Sequence, residues 1–302
     1  MDMYQKRKIR AEKKNNNQEE KLTKVGINWY PGHMAKTKRE IKEKIDLIDI
    51  VFEVVDARIP YSSKNKDIEE MTKGKPRAII MTKIDLCDKE KTNKWIKYYE
   101  NKDYIVVPID LINNPNTKII FDRISPIINE INNKRISKGL KPRRARVLVM
   151  GVPNVGKSTL INRLVGKKST NVGNRPGVTK SLEWIRINDK LELLDTPGIL
   201  WPKLDDEVVA HNLASMTAIK EEILDSEDLA IYIINKMLSD YPDNLKNRYN
   251  ITDTNDIVDI LDQIGKKIGA IRNNETDYER VYKKIIKDLQ DGYLGNVTFD
   301  NI

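Results

Sequence analysis

The residues best suited to chemistry are 151–158, whose sequence Gly-Val-Pro-Asn-Val-Gly-Lys-Ser fits the phosphate-binding pattern G-x-x-x-x-G-K-[ST]. Glycines in such a loop let backbone N–H groups point at anionic oxygens, and the dipole of a following helix adds positive potential. We expect Lys157 to reach the β- and γ-phosphates of a nucleoside triphosphate and Ser158 to offer its hydroxyl to Mg²⁺. The other predicted phosphate ligands are Asn154, Val155, Gly156 and Thr159.

The elements around this loop must position it. Residues 145–150, Ala-Arg-Val-Leu-Val-Met, predict a short buried strand, and residues 159–165 predict the start of a helix. This strand–loop–helix order is the context in which the pattern binds phosphate, and it argues against a chance glycine turn.

A second element for metal and phosphate is predicted at Asp195-Thr196-Pro197-Gly198, after predicted strands over 181–187 and 190–194. Asp195 is expected in the Mg²⁺ shell, and the Gly198 N–H is expected to contact the γ-phosphate. Thr179 lies between the two elements in the chain. Its hydroxyl and carbonyl oxygens suit Mg²⁺ and the γ-phosphate.

The stretch Thr82-Lys83-Ile84-Asp85 follows a predicted strand over 77–81 and resembles the [NT]-K-x-D motif of GTPases. Asp85 would accept hydrogen bonds from the N1–H and exocyclic amine of guanine, a donor pair that adenine lacks. Lys83 would lay its stem along the base. Thr82 stands where asparagine is commoner. No further base loop can be identified around Asp110.

The order of these motifs is unusual, because the guanine motif precedes the phosphate loop. A sheet keeps its packing if the chain is cut and rejoined elsewhere, so the order indicates a circularly permuted GTPase. The chain from Ile27 onward resembles the bacterial ribosome biogenesis GTPase A family. The similarity lies in Trp29-Tyr30-Pro31-Gly32-His33-Met34-Ala35-Lys36, Asp56-Ala57-Arg58-Ile59-Pro60, Pro153-Asn154-Val155-Gly156-Lys157-Ser158 and Leu294-Gly295-Asn296-Val297-Thr298.

The resemblance implies a GTP hydrolase that binds the immature large ribosomal subunit with GTP and leaves after hydrolysis. Ile199 occupies the position of a water-orienting glutamine and cannot hydrogen-bond water, so unaided hydrolysis should be slow. The resemblance instead makes His33 the catalytic group, with a structural turn residue as the alternative. It also makes Asn154 a ligand of K⁺. The implied cofactors are therefore Mg²⁺ and K⁺, with GTP as substrate.

The predicted fold is α/β, a circularly permuted P-loop GTPase domain with a doubly wound, mostly parallel sheet, followed by a small all-α domain. We expect a disordered basic extension over 1–24, the GTPase domain over 25–204 and the helical domain over 205–302. Further strands are predicted over 50–55 and 104–107. The remaining predicted helices cover 34–46, 91–100, 117–133, 208–224, 226–239, 255–268 and 277–292.

Charge is unevenly distributed. The chain has a net charge of +9, yet residues 203–302 hold 12 basic and 20 acidic side chains. Contact with ribosomal RNA is thus expected from local basic groups. The candidates are the extension 1–24, the linker arginines Arg143, Arg144 and Arg146, and the patches Lys266-Lys267-Arg272 and Arg280-Lys283-Lys284-Lys287. For each of these groups a solvated surface is the alternative.

Composition limits the location of the protein. No apolar run is long enough to span a membrane, and the N-terminus lacks the features of a secretory signal. The single cysteine, Cys87, is expected to be an ordinary buried or half-buried thiol. We therefore expect a cytoplasmic protein, monomeric off the ribosome.

Two other functions fit part of the pattern. One is a signalling switch that acts on a protein effector and uses GTP as a timer. The other is an RNA-binding scaffold with weak hydrolysis, against which the presence of Lys157, Ser158 and Asp195 argues.

Overall fold

The computed structural model describes residues 27–28, 39–166, 183–196, 203–204, 206–219, 224–252 and 256–302. The chain separates into two compact units. The sheet unit comprises Tyr30–Trp201, Asn212–Glu221 and Gly295–Ile302, and the helical unit comprises Met1–Trp29, Pro202–His211 and Glu222–Leu294. The predicted domain boundaries at 24/25 and 204/205 stay predictions.

The elements are numbered along the chain. The strands are β1 (Ile27–Asn28), β2 (Ile50–Asp56), β3 (Arg77–Thr82), β4 (Ile105–Pro108), β5 (Ala145–Met150), β6 (Glu183–Arg186), β7 (Leu191–Asp195), β8 (Lys203–Leu204), β9 (Ile271–Arg272) and β10 (Glu275–Thr276). The helices are α1 (Lys66–Met71), α2 (Lys89–Glu100), α3 (Lys118–Ile136), α4 (Lys157–Val165), α5 (Glu207–Ser215), α6 (Ser226–Asp240), α7 (Pro242–Tyr249), α8 (Ile257–Ile268) and α9 (Tyr278–Gln290).

Within the described residues, β2 to β7 form one six-stranded sheet in the order β4-β3-β2-β5-β7-β6. The pairs β4–β3, β3–β2, β2–β5 and β5–β7 are parallel, and β6 is an antiparallel edge strand on β7. Parallel neighbours end at the same edge of a sheet, so the carboxyl ends of β2, β3, β5 and β7 lie side by side. The predicted mostly parallel sheet is thus confirmed.

The core forms where helices cover this sheet. All seven residues of β2 are buried, as expected for a strand covered on both faces. Residues 39–44 are helical and run into a 3₁₀ turn at Ile45–Leu47. The predicted start of this helix lies outside the described residues. Its apolar side chains Ile41 and Ile48 pack with Val51 and residues of β5 and β7.

A second cluster joins β3 to α2 through Trp95 and Tyr99. Helix α2 begins at a good N-cap, because Asp88 Oδ1 accepts hydrogen bonds from the backbone N–H groups of Glu90 and Lys91. Cys87 belongs to the same cluster and is buried. Burial raises the pKa of its thiol, so the prediction of an ordinary buried cysteine is confirmed.

The helical unit follows the predictions for α6, α8 and α9 to within a few residues. Helices α6 and α9 pack together, and α8 packs on α9. Their buried apolar side chains recur at helical spacing, among them Leu229, Ile233 and Met237 of α6, Ile260 and Ile264 of α8, and Val281, Ile285 and Leu289 of α9.

Several elements differ from the sequence prediction, which did not include helix α1 or the short strands β1 and β8. The helix predicted over 208–224 ends at Ser215, because Thr217 adopts a left-handed φ of 65° and Ala218 N–H caps the Leu213 carbonyl. Helix α7 was not predicted. Pro242 stands at its first turn, a position where proline favours the start of a helix. The β9–β10 hairpin was also missed. Its turn residues Asn273 and Asn274 both have positive φ, as a tight hairpin requires.

No helix in the described ranges is both long enough and apolar enough to cross a lipid bilayer.

Candidate active site

The phosphate loop, residues 151–158, connects β5 to α4 at the carboxyl edge of the sheet. A Cβ atom on Gly151 would lie 2.5 Å from the Val54 carbonyl oxygen, so only glycine fits there. Gly156 is left-handed at φ 101° and precedes the first residue of α4. These two glycines let the chain turn sharply from strand into helix, as the pattern predicts.

Lys157 is buried at the first turn of α4. Its ammonium donates to the carbonyl oxygens of Gly151 at 3.1 Å and Val152 at 2.8 Å, so the side chain folds back over the loop. Burial lowers the pKa of this group to about 8, and the Asp195 carboxylate acts in the opposite direction. A buried cation held over a glycine loop is suited to polyphosphate oxygens.

A divalent metal site can be tested on the donors nearby. Asp195 ends β7, is buried, and lies one strand away from the phosphate loop, since Asp195 pairs with Val149 of β5. Ser158 follows Lys157 in the first turn of α4. A carboxylate and a hydroxyl are hard oxygen donors, and Mg²⁺ usually takes one or two such protein ligands and completes its shell with phosphates and water. The residues present therefore fit Mg²⁺.

The described residues contain no cluster of three or more His, Cys, Asp or Glu side chains suited to a metal ion. Thr196, next to Asp195, donates its hydroxyl to the Val149 carbonyl at 2.7 Å and so ties the end of β7 to β5.

The base motif, residues 82–85, follows β3 on the same edge. Lys83 has a positive φ of 58°, which turns the chain sharply after the strand. Asp85 is partly buried and accepts a hydrogen bond of 3.4 Å from the Asn113 side-chain amide. Burial and the nearby Asp110 carboxylate raise the pKa of Asp85. Hydrogen bonds from neutral or cationic donors would stabilise the ionised form of this carboxylate. The edge of a guanine ring offers two such donors, the N1–H and the exocyclic amine.

The phosphate loop and the base motif contact each other directly. The Thr82 hydroxyl donates to the Val155 carbonyl oxygen at 2.5 Å. The Lys83 ammonium donates to the Asn154 carbonyl oxygen at 2.9 Å. Two motifs far apart in sequence thus form one continuous surface, because β3 and β5 flank the same central strand, β2.

Asp56, at the end of β2, supports this junction. Its carboxylate accepts from the Arg58 guanidinium at 2.9 and 3.0 Å and lies 2.8 Å from the Lys83 ammonium. Burial alone would raise the pKa of Asp56, but the Arg58 and Lys83 charges lower it overall. We assigned Asp56 no role from the sequence. A charged Asp-x-Arg directly after a buried strand was the available signal.

Two more loops border the site: the loop after α5, which contains Thr217, and the loop after β4. Asn154 has a left-handed φ of 58°, and its side-chain amide donates to the Thr217 carbonyl at 2.8 Å. The loop after β4 turns on Asp110, whose carboxylate accepts from the backbone of Ile112 and Asn113. This loop had no recognisable motif, yet it brings Asn113 to Asp85.

Three predicted site residues, His33, Thr179 and Gly198, lie outside the described residues, as does Ile199. The other histidine, His211, interacts through Nδ1 with the Glu207 carbonyl and stacks on Tyr232, as expected for a packed helix residue.

The linker arginines are engaged within the sheet unit. Arg143 pairs with Asp49 at 2.7 Å and Arg146 pairs with Glu192 at 2.7 Å. Arg144 donates to the Asn188 carbonyl and lies 3.8 Å from Asp189. All three arginines therefore have partners within the sheet unit, and RNA contact by this linker stays a prediction.

Comparison with known proteins agrees with this geometry. A family model described as "50S ribosome-binding GTPase" matches residues 146–275, from β5 onward, and leaves the base motif outside its range. The chain is 42% identical to the ribosome biogenesis GTPase A of Bacillus cereus, over 91% of this chain and 93% of that protein. It is 43% identical to the protein of that name from Priestia megaterium, over 91% and 96%.

Among solved structures, the GDP-bound YlqF of T. maritima superposes with a TM-score of 0.63 at 24% identity. The match covers 87% of this chain and 99% of the other. At that identity the likeness concerns the fold.

Proposed function

The chain belongs to the ribosome biogenesis GTPase A family and is a P-loop GTPase, and from this premise we propose that it hydrolyses GTP to assist assembly of the large ribosomal subunit. It binds the immature particle in the GTP state and is released after hydrolysis. The observation that carries the proposal is the direct contact between base motif and phosphate loop through Thr82–Val155 and Lys83–Asn154. One nucleotide can then bind the base motif with its ring and the phosphate loop with its phosphates.

Guanine recognition falls to the base motif. Asp85 accepts from the N1–H and the exocyclic amine, and its pKa is raised in the free protein chiefly by burial, with the Asp110 carboxylate acting in the same direction. Lys83 lies along the base while its ammonium holds Asp56 and the Asn154 carbonyl. ATP would leave the Asp85 carboxylate facing an acceptor, which is costly.

The triphosphate is held by the backbone N–H groups of 154–159 and by Lys157. Ser158, Thr179 and Asp195 would hold Mg²⁺, which when bound neutralises charge on the β- and γ-phosphates. The Gly198 N–H would contact the γ-phosphate. Because Lys157 is already folded over the loop, phosphate binding replaces its bonds to the Gly151 and Val152 carbonyls.

Hydrolysis depends on His33. Ile199 cannot orient water, so the protein alone is slow, and His33 orients or deprotonates the attacking water when the particle is bound. Asn154 contributes a ligand to K⁺, whose charge lies beside the phosphates. Its amide is fixed by the bond to the Thr217 carbonyl. Turnover is therefore stimulated by ribosomal particles and by K⁺.

The partner is the large-subunit precursor and its RNA. The names of the similar proteins and the description of the matching family model support a ribosomal partner. The acidic balance of 203–302 restricts RNA contact in that region to local basic patches, such as the one at Arg280, Lys283, Lys284 and Lys287. We place the protein in the cytoplasm as a monomer off the ribosome, with domains over 25–204 and 205–302 after the extension 1–24.

The test is GTP turnover with purified large-subunit precursors, small subunits or a ribosome-free lysate, each in K⁺ and Na⁺ buffers. The proposal predicts stimulation by the large-subunit particles in K⁺. His33→Ala should keep GTP binding and lose that stimulation, whereas the matched variant His211→Ala should keep both. Stimulation by the ribosome-free lysate alone would instead favour a signalling switch, and GTP binding without turnover in any mixture would favour a scaffold.

A further inference from the structure

The last residues of the chain belong to the sheet unit, although they follow the helical unit in sequence. Gly295–Ile302 is part of the sheet unit, whereas Leu294 ends the helical unit. Four consecutive residues of this stretch, 297–300, are buried, and we call them the C-terminal strap. Such burial of a terminus without helix or strand structure requires specific partners.

The strap is bonded to the loop that carries the base motif. The Val297 N–H donates to the carbonyl of Leu86, the residue directly after Asp85, at 3.1 Å. The Thr298 hydroxyl accepts from the Asp88 N–H at 3.2 Å and lies 3.0 Å from the Thr92 hydroxyl. The backbone on the C-terminal side of Asp85 is therefore held by the end of the chain.

The strap is also bonded to the loop after β2. The Phe299 N–H donates to the Arg58 carbonyl at 2.8 Å. Asp300 accepts from the backbone N–H groups of Tyr61 and Ser62 at 2.7 and 2.8 Å. Its other oxygen accepts from the Ser62 hydroxyl at 2.5 Å and from the Asn212 amide at 2.9 Å. A buried carboxylate with four donors is a strong anchor, because neutral replacements leave donors unpaired.

This second loop leads back to the base motif. Ser63 donates its hydroxyl to the Ile59 carbonyl and accepts from the Asp56 N–H at 3.0 Å. Asp56 in turn holds the Lys83 ammonium at 2.8 Å. The strap thus supports the base motif from both sides, through Leu86 after Asp85 and through Asp56 at Lys83.

We propose that the C-terminal strap positions the guanine-recognition loop and that Asp300 is its anchoring residue. The inference rests on the proposed function, since it takes Asp85 as the group that reads the base. A carboxylate discriminates a base only while its oxygens meet the ring donors in good geometry, and displacement of about 1 Å removes much of that selectivity. Loss of the strap should therefore reduce base selectivity more than it reduces affinity for the phosphates.

The experiment compares the dissociation constants of GTP and inosine triphosphate, which keeps the N1–H and lacks the exocyclic amine. Asp300→Ala should lower the preference for GTP over inosine triphosphate by about tenfold, the loss of about one hydrogen bond to a charged group. Asp300→Asn keeps one acceptor oxygen, so its preference for GTP over inosine triphosphate should lie between those of the unmodified protein and Asp300→Ala. Partial unfolding reduces binding of both nucleotides alike, so it leaves the ratio unchanged.

The matched control is Asp288→Ala. Asp288 is also buried and also accepts several hydrogen bonds, from Arg248, Tyr249 and Lys284, but it lies in the helical unit. It should cost stability and leave the nucleotide ratio unchanged. If Asp300→Ala does not fold, Thr298→Val decides, since it keeps the side-chain shape and removes only the hydroxyl that accepts from Asp88.

The outcomes distinguish a failure of the strap proposal from a failure of the guanine site itself. If Asp300→Ala folds and keeps the GTP preference unchanged, only the role of the strap is overturned. If Asp300→Ala does not fold, an unchanged preference in Thr298→Val has the same meaning. Equal binding of GTP, inosine triphosphate and ATP by the unmodified protein overturns the guanine site and the strap with it.

Discussion

The replacement Thr82→Val removes the hydroxyl that joins the base motif to the phosphate loop and keeps the shape of the side chain. Thr82 is fully buried, and its Oγ1 lies 2.5 Å from the Val155 carbonyl oxygen and 3.0 Å from the Val55 carbonyl oxygen. A hydroxyl has one proton to donate, and the shorter contact is the one to the phosphate loop. The variant leaves that buried carbonyl without this donor.

The expected losses of stability and of GTP affinity follow from this contact. Leaving one buried acceptor unpaired costs about 1–3 kcal/mol of unfolding free energy. The lost bond also frees the phosphate loop to move before the nucleotide binds. If the free energy of ordering it is about 1.4 kcal/mol, GTP affinity falls about tenfold.

The assay is urea unfolding together with calorimetric GTP titration, on Thr82→Val and on the matched variant Thr72→Val. Thr72 is equally buried and its hydroxyl donates to the Ile68 carbonyl, on α1 and away from the nucleotide loops. Both variants should lose stability, and only Thr82→Val should also lose affinity. Equal GTP affinity in the two variants would refute the idea that this contact organises the site.

Two further predictions concern the phosphate loop. Because burial lowers the pKa of Lys157 to about 8, and bound phosphate favours the charged form, GTP binding should take up protons through this residue at about pH 8.5 and far fewer at about pH 7. Calorimetry in buffers of different ionisation enthalpy measures this uptake, and its absence at the higher pH would contradict the buried lysine. Gly151→Ala should destabilise the protein by about 1–3 kcal/mol through the clash with Val54, measured by urea unfolding. Gly139→Ala, whose Cβ would meet nothing within 4 Å, should cost less, and equal losses would argue against the clash.

The sheet and its loops were predictable because their signals are local. Buried parallel strands appear as apolar runs, and β2, β3 and β5 begin where the sequence predicts and end within one residue of the prediction. The phosphate loop is equally local, since glycine spacing and the following helix lie within one short stretch. The unusual motif order was visible as well, because it requires only that both motifs be recognised.

The contacts that assemble the site were not predictable, because they join residues distant in sequence. Nothing near Thr82 indicates that its hydroxyl reaches the Val155 carbonyl, and nothing near Asp56 indicates a bond to Lys83. The burial of Asp300 is a similar case, since an aspartate near a terminus normally remains solvated. In the helical unit, no prediction covered the helix that starts at Pro242 or the hairpin that turns at 273–274.

The central claim is that base motif and phosphate loop hold one guanine nucleotide between them. Its most direct test is calorimetric competition of GTP, ATP and xanthosine triphosphate on the unmodified protein and on Asp85→Asn. The account predicts that the unmodified protein selects GTP and that Asp85→Asn selects xanthosine triphosphate, because an amide can donate to the second ring carbonyl. Equal binding of GTP and ATP by the unmodified protein, or an unaltered GTP preference in Asp85→Asn, would contradict it.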